Sequence, residues 1–285
     1  MPKLKIGVML VTCFAFVITL SAQAQLKTLD YPGALETDCN AINKAGIIVG
    51  TQKDNTGAQH GFAYINGKFK NINYPGASQT TAYGLNEQGG VVGWYYDANQ
   101  VQHGYVLEIS GHFATVDVPQ ATLTNAWSIS NNGTIVGTYT DSSGVFHGFT
   151  LANGKYTKFD APNGATLTQF TGLNSKGIRV GLFKDSSNIQ HGFALQGTKF
   201  IQVDYPGAGV TAVDRINTSN EYVGLWGTGT TCPTCSGYIH KNGKYTAVNY
   251  PNSTETRVRG LNDTGTIVGR YTDAAGLIHG FGGNP

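Results

Sequence analysis

The chain has 285 residues, 39 of them glycine, and a formal net charge of +2. It lacks the basic excess or stripe that a nucleic-acid footprint requires, so no nucleic-acid partner is expected. Strong helix formers are sparse, and Tyr, Phe, Thr, Val and Ile fill the ordered-looking segments, which favours strands joined by tight turns.

Lys3 and Lys5 open the chain as a basic region, and Ile6 to Leu20 is a short apolar run. The run is too short and too weakly flanked for a membrane span. Ala22-Gln23-Ala24 places small residues at cleavage positions, so residues 1–24 read as a secretory signal peptide cut after Ala24. An uncleaved anchor is the weaker alternative. Without Lys3 and Lys5, 17 basic residues face 17 acidic ones. No second apolar run follows, so the mature chain is expected to be exported without a membrane span, to the periplasm or beyond, as a monomer.

From residue 25 onward the chain repeats. Pro32, Pro75, Pro119, Pro162, Pro206 and Pro251 each follow an Asx-containing strand end. Gly50, Gly93, Gly137, Gly181, Gly224 and Gly269 each end a Val-Gly or equivalent pair. His60, His103, His147, His191 and His279 each head a His-Gly-aromatic triplet, with Ser236 in the remaining slot. All spacings are 43–45 residues, so six repeats account for residues 25–285 with no second domain.

Each repeat reads as four strands. In the fourth these are residues 166–174, 178–185, 190–195 and 200–206, separated by Gly/Asn/Ser turns. Asn66-Gly67, Asn153-Gly154 and Asn242-Gly243 suit hairpins whose central residues need positive φ. Four strands per 40–50 residues predict an all-β fold, a six-bladed β-propeller of four-stranded antiparallel blades. The last repeat stops after its third strand, and residues 25–32 supply an orphan fourth. The N-terminal strand is therefore expected to close the ring on the C-terminal blade, hiding exposed edges.

The order His-Gly-Phe, Asx-x-Pro-Gly-Ala, a strand ending in Asn, then Gly-x-Ile-Val-Gly and Asp resembles the HAF family of bacterial extracellular repeats. The resemblance spans essentially the whole mature chain. It implies an exported repeat protein and carries no reaction, substrate or catalytic residue.

Repetition separates scaffold from site. A residue present in nearly every blade serves folding, and a local function must break the symmetry. The Asp/His pair six residues apart (Asp185 and His191, for example) could be a metal or acid/base pair. It recurs five times, and one blade supplies too few ligands for zinc, so it reads as a hairpin clamp. The repeated Asx before Pro, the Asn that ends the first strand in five units (Asn43, Asn86, Asn174, Asn217 and Asn262) and the Thr inside that strand (Thr37, Thr80, Thr124, Thr211 and Thr256) read as structure too.

The symmetry breakers lie in the first strand of each unit, which lines a propeller's channel. Units five, six and one place Glu36, Asp38, Asp214, Arg215, Arg257 and Arg259 as a charged arc, with Tyr83 and Trp127 facing it. Arginine forks match carboxylates and aromatic rings stack on apolar faces, so the channel mouth is a candidate site for a small polar ligand or glycan. The charges could instead pair with one another, plugging the channel of a purely structural repeat protein. Glu36, Asp38 and Asp214 keep a hydrolase or lyase as a further alternative, although no nucleophile elbow, metalloprotease helix or phosphate loop occurs. The expected function is a non-catalytic binding module, with another extracellular protein also a possible partner and no cofactor implied.

Unit five replaces the Asp/His pair with Cys232 and Cys235 at its second turn. In an exported chain this reads as a structural disulfide. Reduced redox thiols or a metal are the alternatives. Cys39, in the first strand of unit one, is expected to be buried and unpaired.

Overall fold

The computed structural model describes residues 25–285, which form 24 strands and no helix. The expected signal segment, residues 1–24, lies outside the described residues. The described residues start with β1 (Gln25–Thr28), then β2 (Glu36–Ile42), β3 (Ile48–Lys53), β4 (Gln59–Ile65) and β5 (Lys68–Ile72). The next unit holds β6 (Gln79–Leu85), β7 (Val91–Tyr96), β8 (Gln102–Leu107) and β9 (Phe113–Val116). The third holds β10 (Leu123–Ile129), β11 (Ile135–Thr140), β12 (Phe146–Ala152) and β13 (Lys155–Phe159). The fourth holds β14 (Leu167–Leu173), β15 (Arg179–Lys184), β16 (Gln190–Gln196) and β17 (Lys199–Val203). Then come β18 (Val210–Ile216), β19 (Tyr222–Gly227), β20 (Ser236–Lys241) and β21 (Lys244–Val248). The last strands are β22 (Glu255–Leu261), β23 (Ile267–Thr272) and β24 (Ile278–Asn284).

Consecutive strands pair antiparallel as meanders. Four separate four-stranded sheets form: β2 to β5, β6 to β9, β18 to β21, and β22-β23-β24-β1. Strands β10 to β17 form one eight-stranded sheet, because Phe146 of β12 pairs parallel with Leu167 of β14. The expected six separate blades are corrected to this extent: only four stand as isolated sheets. The loop before β14 is one residue longer than its counterparts, the amide bonding its threonine being Ala161 to Thr168 rather than, for example, Tyr31 to Thr37, and at this seam β12 and β14 approach closely enough for one parallel residue pair.

Turn chemistry follows the residues. Asn66, Asn153 and Asn242 have φ of 51°, 50° and 51°, and the glycine after each is also positive, as a two-residue hairpin turn needs. The hydrophobic core lies at the seams. One cluster joins Ala41, Val49 and Ala63 to Ala82, Tyr95 and Tyr105 of the next unit. Another joins Cys39, Ile42 and Phe62 to Val268 of the last unit.

The repeated triplet explains the repeated glycine. Phe62, Tyr105, Phe149, Phe193, Tyr238 and Phe281 are all fully buried, each ring worth about 2 kcal/mol of burial. Phe149 lies against Gly137, where an added Cβ would sit 2.5 Å from its ring and 2.1 Å from the Asn125 oxygen. No larger residue fits there.

The Asp/His pairs are clamps. Asp54 Oδ1 accepts the Thr56 and Ala58 amides across the turn, while Oδ2 lies 3.0 Å from His60 Nε2. The other ring nitrogen reaches Asn73, the Asx before Pro75, at 3.2 Å. Bonds to Thr56 and His60 hold the Asp54 carboxyl well below the usual carboxylate range. In the last unit His279 binds Asp273 at 3.4 Å and Asp30, at the other end of the chain, at 2.8 Å. The clamp thus ties β1 to β24 beside their ladder, Gln25–Thr28 against Phe281–Asn284.

Every inner strand (β2, β6, β10, β14, β18, β22) carries a bulge. The residues left out of the ladder are Asn40, Tyr83, Trp127, Thr171, Asp214 and Arg259. A bulge re-aims a side chain. Here it does so at the position that differs in all six units.

Candidate functional site

Six alternating charges run as one chain through the channel. Arg259 lies between Asp214 (3.7 Å) and Asp38 (3.8 Å). Arg270 continues from Asp38 (3.6 Å) to Glu255 (4.0 Å), and Arg257 closes on Glu255 at 2.7 Å. Burial works against the charge on Arg259, but Tyr83, Asp38, Asp214 and Glu255 outweigh it and raise its pKa. Burial raises the Asp214 carboxyl despite the neighbouring Arg259, Arg215 and Arg257.

Beside this chain lies a cavity of about 170 Å³, with Asp38, Arg259 and Arg270 on one side. Tyr83 and Trp94 line it as well, stacked with ring centroids 4.4 Å apart. Trp127 backs them edge-on, 4.4 Å from Tyr83. Burial also raises the Tyr83 hydroxyl pKa, with the Arg259 charge opposing. Asp38 Oδ1, Arg259 Nε, Arg270 Nε and Trp127 Nε1 are buried polar atoms without a hydrogen-bond partner.

Of the residues expected at the site, Asp38, Tyr83 and Arg259 line this cavity. Glu36 lines it too, paired with Lys53 at 3.0 Å. Trp127 and Asp214 stand behind Tyr83 and Arg259, and Arg257 is held by Glu255 away from the cavity wall. Arg215 departs from the expected arc. Its guanidinium crosses the channel and donates to the main-chain oxygens of Asp214 (2.9 Å), Trp127 (3.2 Å), Tyr83 and Thr171. Burial lowers its pKa to about 10, against Asp214 and Tyr83, which leaves it charged at neutral pH. On the far side, Arg215 lines a smaller cavity of about 90 Å³ among the ends of the inner strands.

Inner-strand reasoning missed Trp94, Arg270 and Glu255. Trp94 and Arg270 are register partners of Thr81 and Arg257 on the neighbouring strands. A signal existed for Trp94 and Arg270: the residue after each repeated glycine is Thr51, Trp94, Thr138, Leu182, Leu225 or Arg270, a position that also breaks the repeat. Cys232 and Cys235 form a disulfide in the β19–β20 turn, with Cα atoms 5.3 Å apart. Cys39 is free and buried, and burial raises its thiol pKa. Among the described residues no group of three or more His, Cys, Asp or Glu is placed to hold a metal ion. No helix long and apolar enough to cross a membrane occurs among the described residues.

No family model and no curated relative matches the chain. Solved structures do. A lectin from Aleuria aurantia, crystallised with Fucalpha1-6GlcNAc, superposes with a TM-score of 0.55 at 10% identity, over 87% of this chain and 91% of that one. Virginiamycin B lyase from Staphylococcus aureus gives 0.52 at 12% identity, over 90% and 88%. The β-propeller domain of the trilobed protease from Pyrococcus furiosus gives 0.53 at 10% identity, over 88% and 94%. At such identities the likeness defines the fold: the chain is a β-propeller.

Proposed function

We propose that the chain is an exported HAF-type repeat protein forming a six-bladed ring, and that it works as a binding module. The eight-stranded sheet is read as two blades, since its halves are complete meanders joined by one residue pair. The ligand is a small polar molecule, a monosaccharide or organic acid, seated between Tyr83 and Trp94 on one side and Arg259 and Arg270 on the other. At about 170 Å³ the cavity falls below the ~300 Å³ of drug-sized sites.

The observation that carries this reading is the unpartnered buried set Asp38 Oδ1, Arg259 Nε and Arg270 Nε beside an aromatic stack. Leaving such atoms unbonded costs about 1–3 kcal/mol each, and since they are shut off from solvent, a hydroxylated ligand would satisfy them as the Asp38, Arg259 and Arg270 side chains turn toward the cavity. The fucose-bearing complex of the Aleuria lectin supports a glycan in a propeller of this kind.

Thermal-shift and calorimetric titration with neutral sugars, acidic sugars and organic acids tests the reading. At least one class should bind the parent, and Trp94→Ala should weaken it tenfold or more while melting stays cooperative. Silence across the whole panel would sink the idea. The structural reading, a plugged ring without a ligand, draws on Arg215, which fills the channel below the cavity. In the hydrolase or lyase alternative, Glu36 and Asp38 share the cavity and would be the acid/base pair.

A further inference from the structure

Asparagine side chains stitch the inner strands together where they turn outward. Asn43 donates to the Asn86 oxygen, Asn86 to Ser130, Asn174 to Asn217, Asn217 to Asn262, and Asn262 back to Asn43, at 3.1–3.4 Å. Between units three and four the stitch is missing. Ser130 stands where the others have Asn, is too short to cross, and turns its hydroxyl to Asn132 instead.

Two more departures from the repeat fall at the same seam. Arg179 occupies the position of Ile48, Val91, Ile135, Tyr222 and Ile267. Thr150, on the facing blade, occupies the position of Ala63, Val106, Ala194, Ile239 and Gly282. Ser130, Thr150 and Arg179 all line one cleft of about 410 Å³. Its lining holds two cations, Arg179 and Lys176, and no carboxylate.

Arg179 is half-buried and makes no ion pair among the described residues. Nη2 donates to the Gly197 oxygen at 3.1 Å, and Nη1 lies 3.5 Å from Thr150 Oγ1, at the weak limit. A guanidinium has five N–H donors, so most remain for a ligand. Its carbon lies 5.8 Å from the centre of the Phe170 ring, which supports the group from below. A charged side chain replacing an apolar one costs stability unless something pairs with it. Three departures from the repeat thus coincide at one seam, each making it more open or more polar.

We propose that this cleft binds a carboxylate on a hydroxylated carbon frame, an acidic sugar, with Arg179 as the carboxylate anchor. Asn131, Asn132, Thr150 and Ser175 supply partners for its hydroxyls, and Lys176 adds long-range attraction. The site is separate from the channel cavity and does not depend on it.

Calorimetric titration of the whole mature chain with D-glucuronate, D-glucose and inorganic sulfate tests this. Glucuronate should bind, with glucose and sulfate at least tenfold weaker. Arg179→Ile restores the residue of the other repeats, so it should fold and melt no lower than the parent, yet lose glucuronate tenfold or more. Ser130→Asn, which restores the stitch and narrows the cleft, should weaken glucuronate as well. Trp94→Ala should leave it unchanged, which separates this site from the channel. Absent glucuronate binding, an equal response to glucose or sulfate, or parent-like affinity in Arg179→Ile would each overturn the proposal.

Discussion

Arg215 stands where the other units have Ala41, Gly84, Ser128, Gly172 and Gly260. Those residues are small because the inner strands nearly touch there: a Cβ on Gly172 would lie 3.1 Å from the Arg215 Cα. The arginine escapes that crowding by running into the channel, where carbonyls of Tyr83, Trp127 and Thr171 hold it. Charge-assisted bonds contribute about 1.5–3 kcal/mol each, and desolvation of the guanidinium offsets part of that. Arg215→Ala should therefore lower unfolding stability by about 3 kcal/mol, read as a shift in urea midpoint at constant slope. An unchanged midpoint would mean that desolvation cancels the bonds. That Arg215 breaks the repeat is visible in the sequence. Its turn toward main-chain oxygens rather than the neighbouring arc is not, because carbonyl positions belong to the backbone of other units.

At the scale of single elements, the bulge and the clamp matter most. The bulge sets which variable residue of each inner strand leaves the ladder: in unit six the bulged Arg259 lines the cavity and the paired Arg257 does not, whereas in unit one the paired Asp38 lines it. The clamp at His279 is pH-sensitive. Partial burial works against the imidazolium, but Asp30 and Asp273 outweigh it and raise its pKa above the ordinary histidine value. A group raised in the folded state contributes stability that is fully present below its unfolded pKa of about 6.5 and is lost as pH rises through the folded value. Amide exchange in β1, corrected for intrinsic rates, should therefore lose protection as pH rises above about 6.5 and through the raised folded value. Asp30→Asn should flatten that dependence. The same profile in both proteins would contradict the assignment.

Over the whole molecule, the two ends of the chain depend on each other. β1 supplies the fourth strand of the last sheet, and Thr28 adds hydroxyl contacts to Tyr250 (2.7 Å) and Tyr271 (2.9 Å). Removing β1 and Asp30 exposes the edge of β24 and leaves His279 without one carboxylate. A chain starting at Tyr31 should melt roughly 5–10 °C lower, as expected for the loss of about 3 kcal/mol. Scanning calorimetry of the two lengths would measure this, and equal melting temperatures would show that seam packing alone closes the molecule. The sequence by itself determined the all-β character, the 43–45-residue period, the turn positions and the residues that serve every unit equally, because these depend on local propensity and on repetition. Only the tertiary structure decided which symmetry breakers meet. Trp94, Arg270 and Glu255 join Asp38, Tyr83 and Arg259 because register, bulge and the return of the chain bring separate strands together, and no spacing within one strand encodes that.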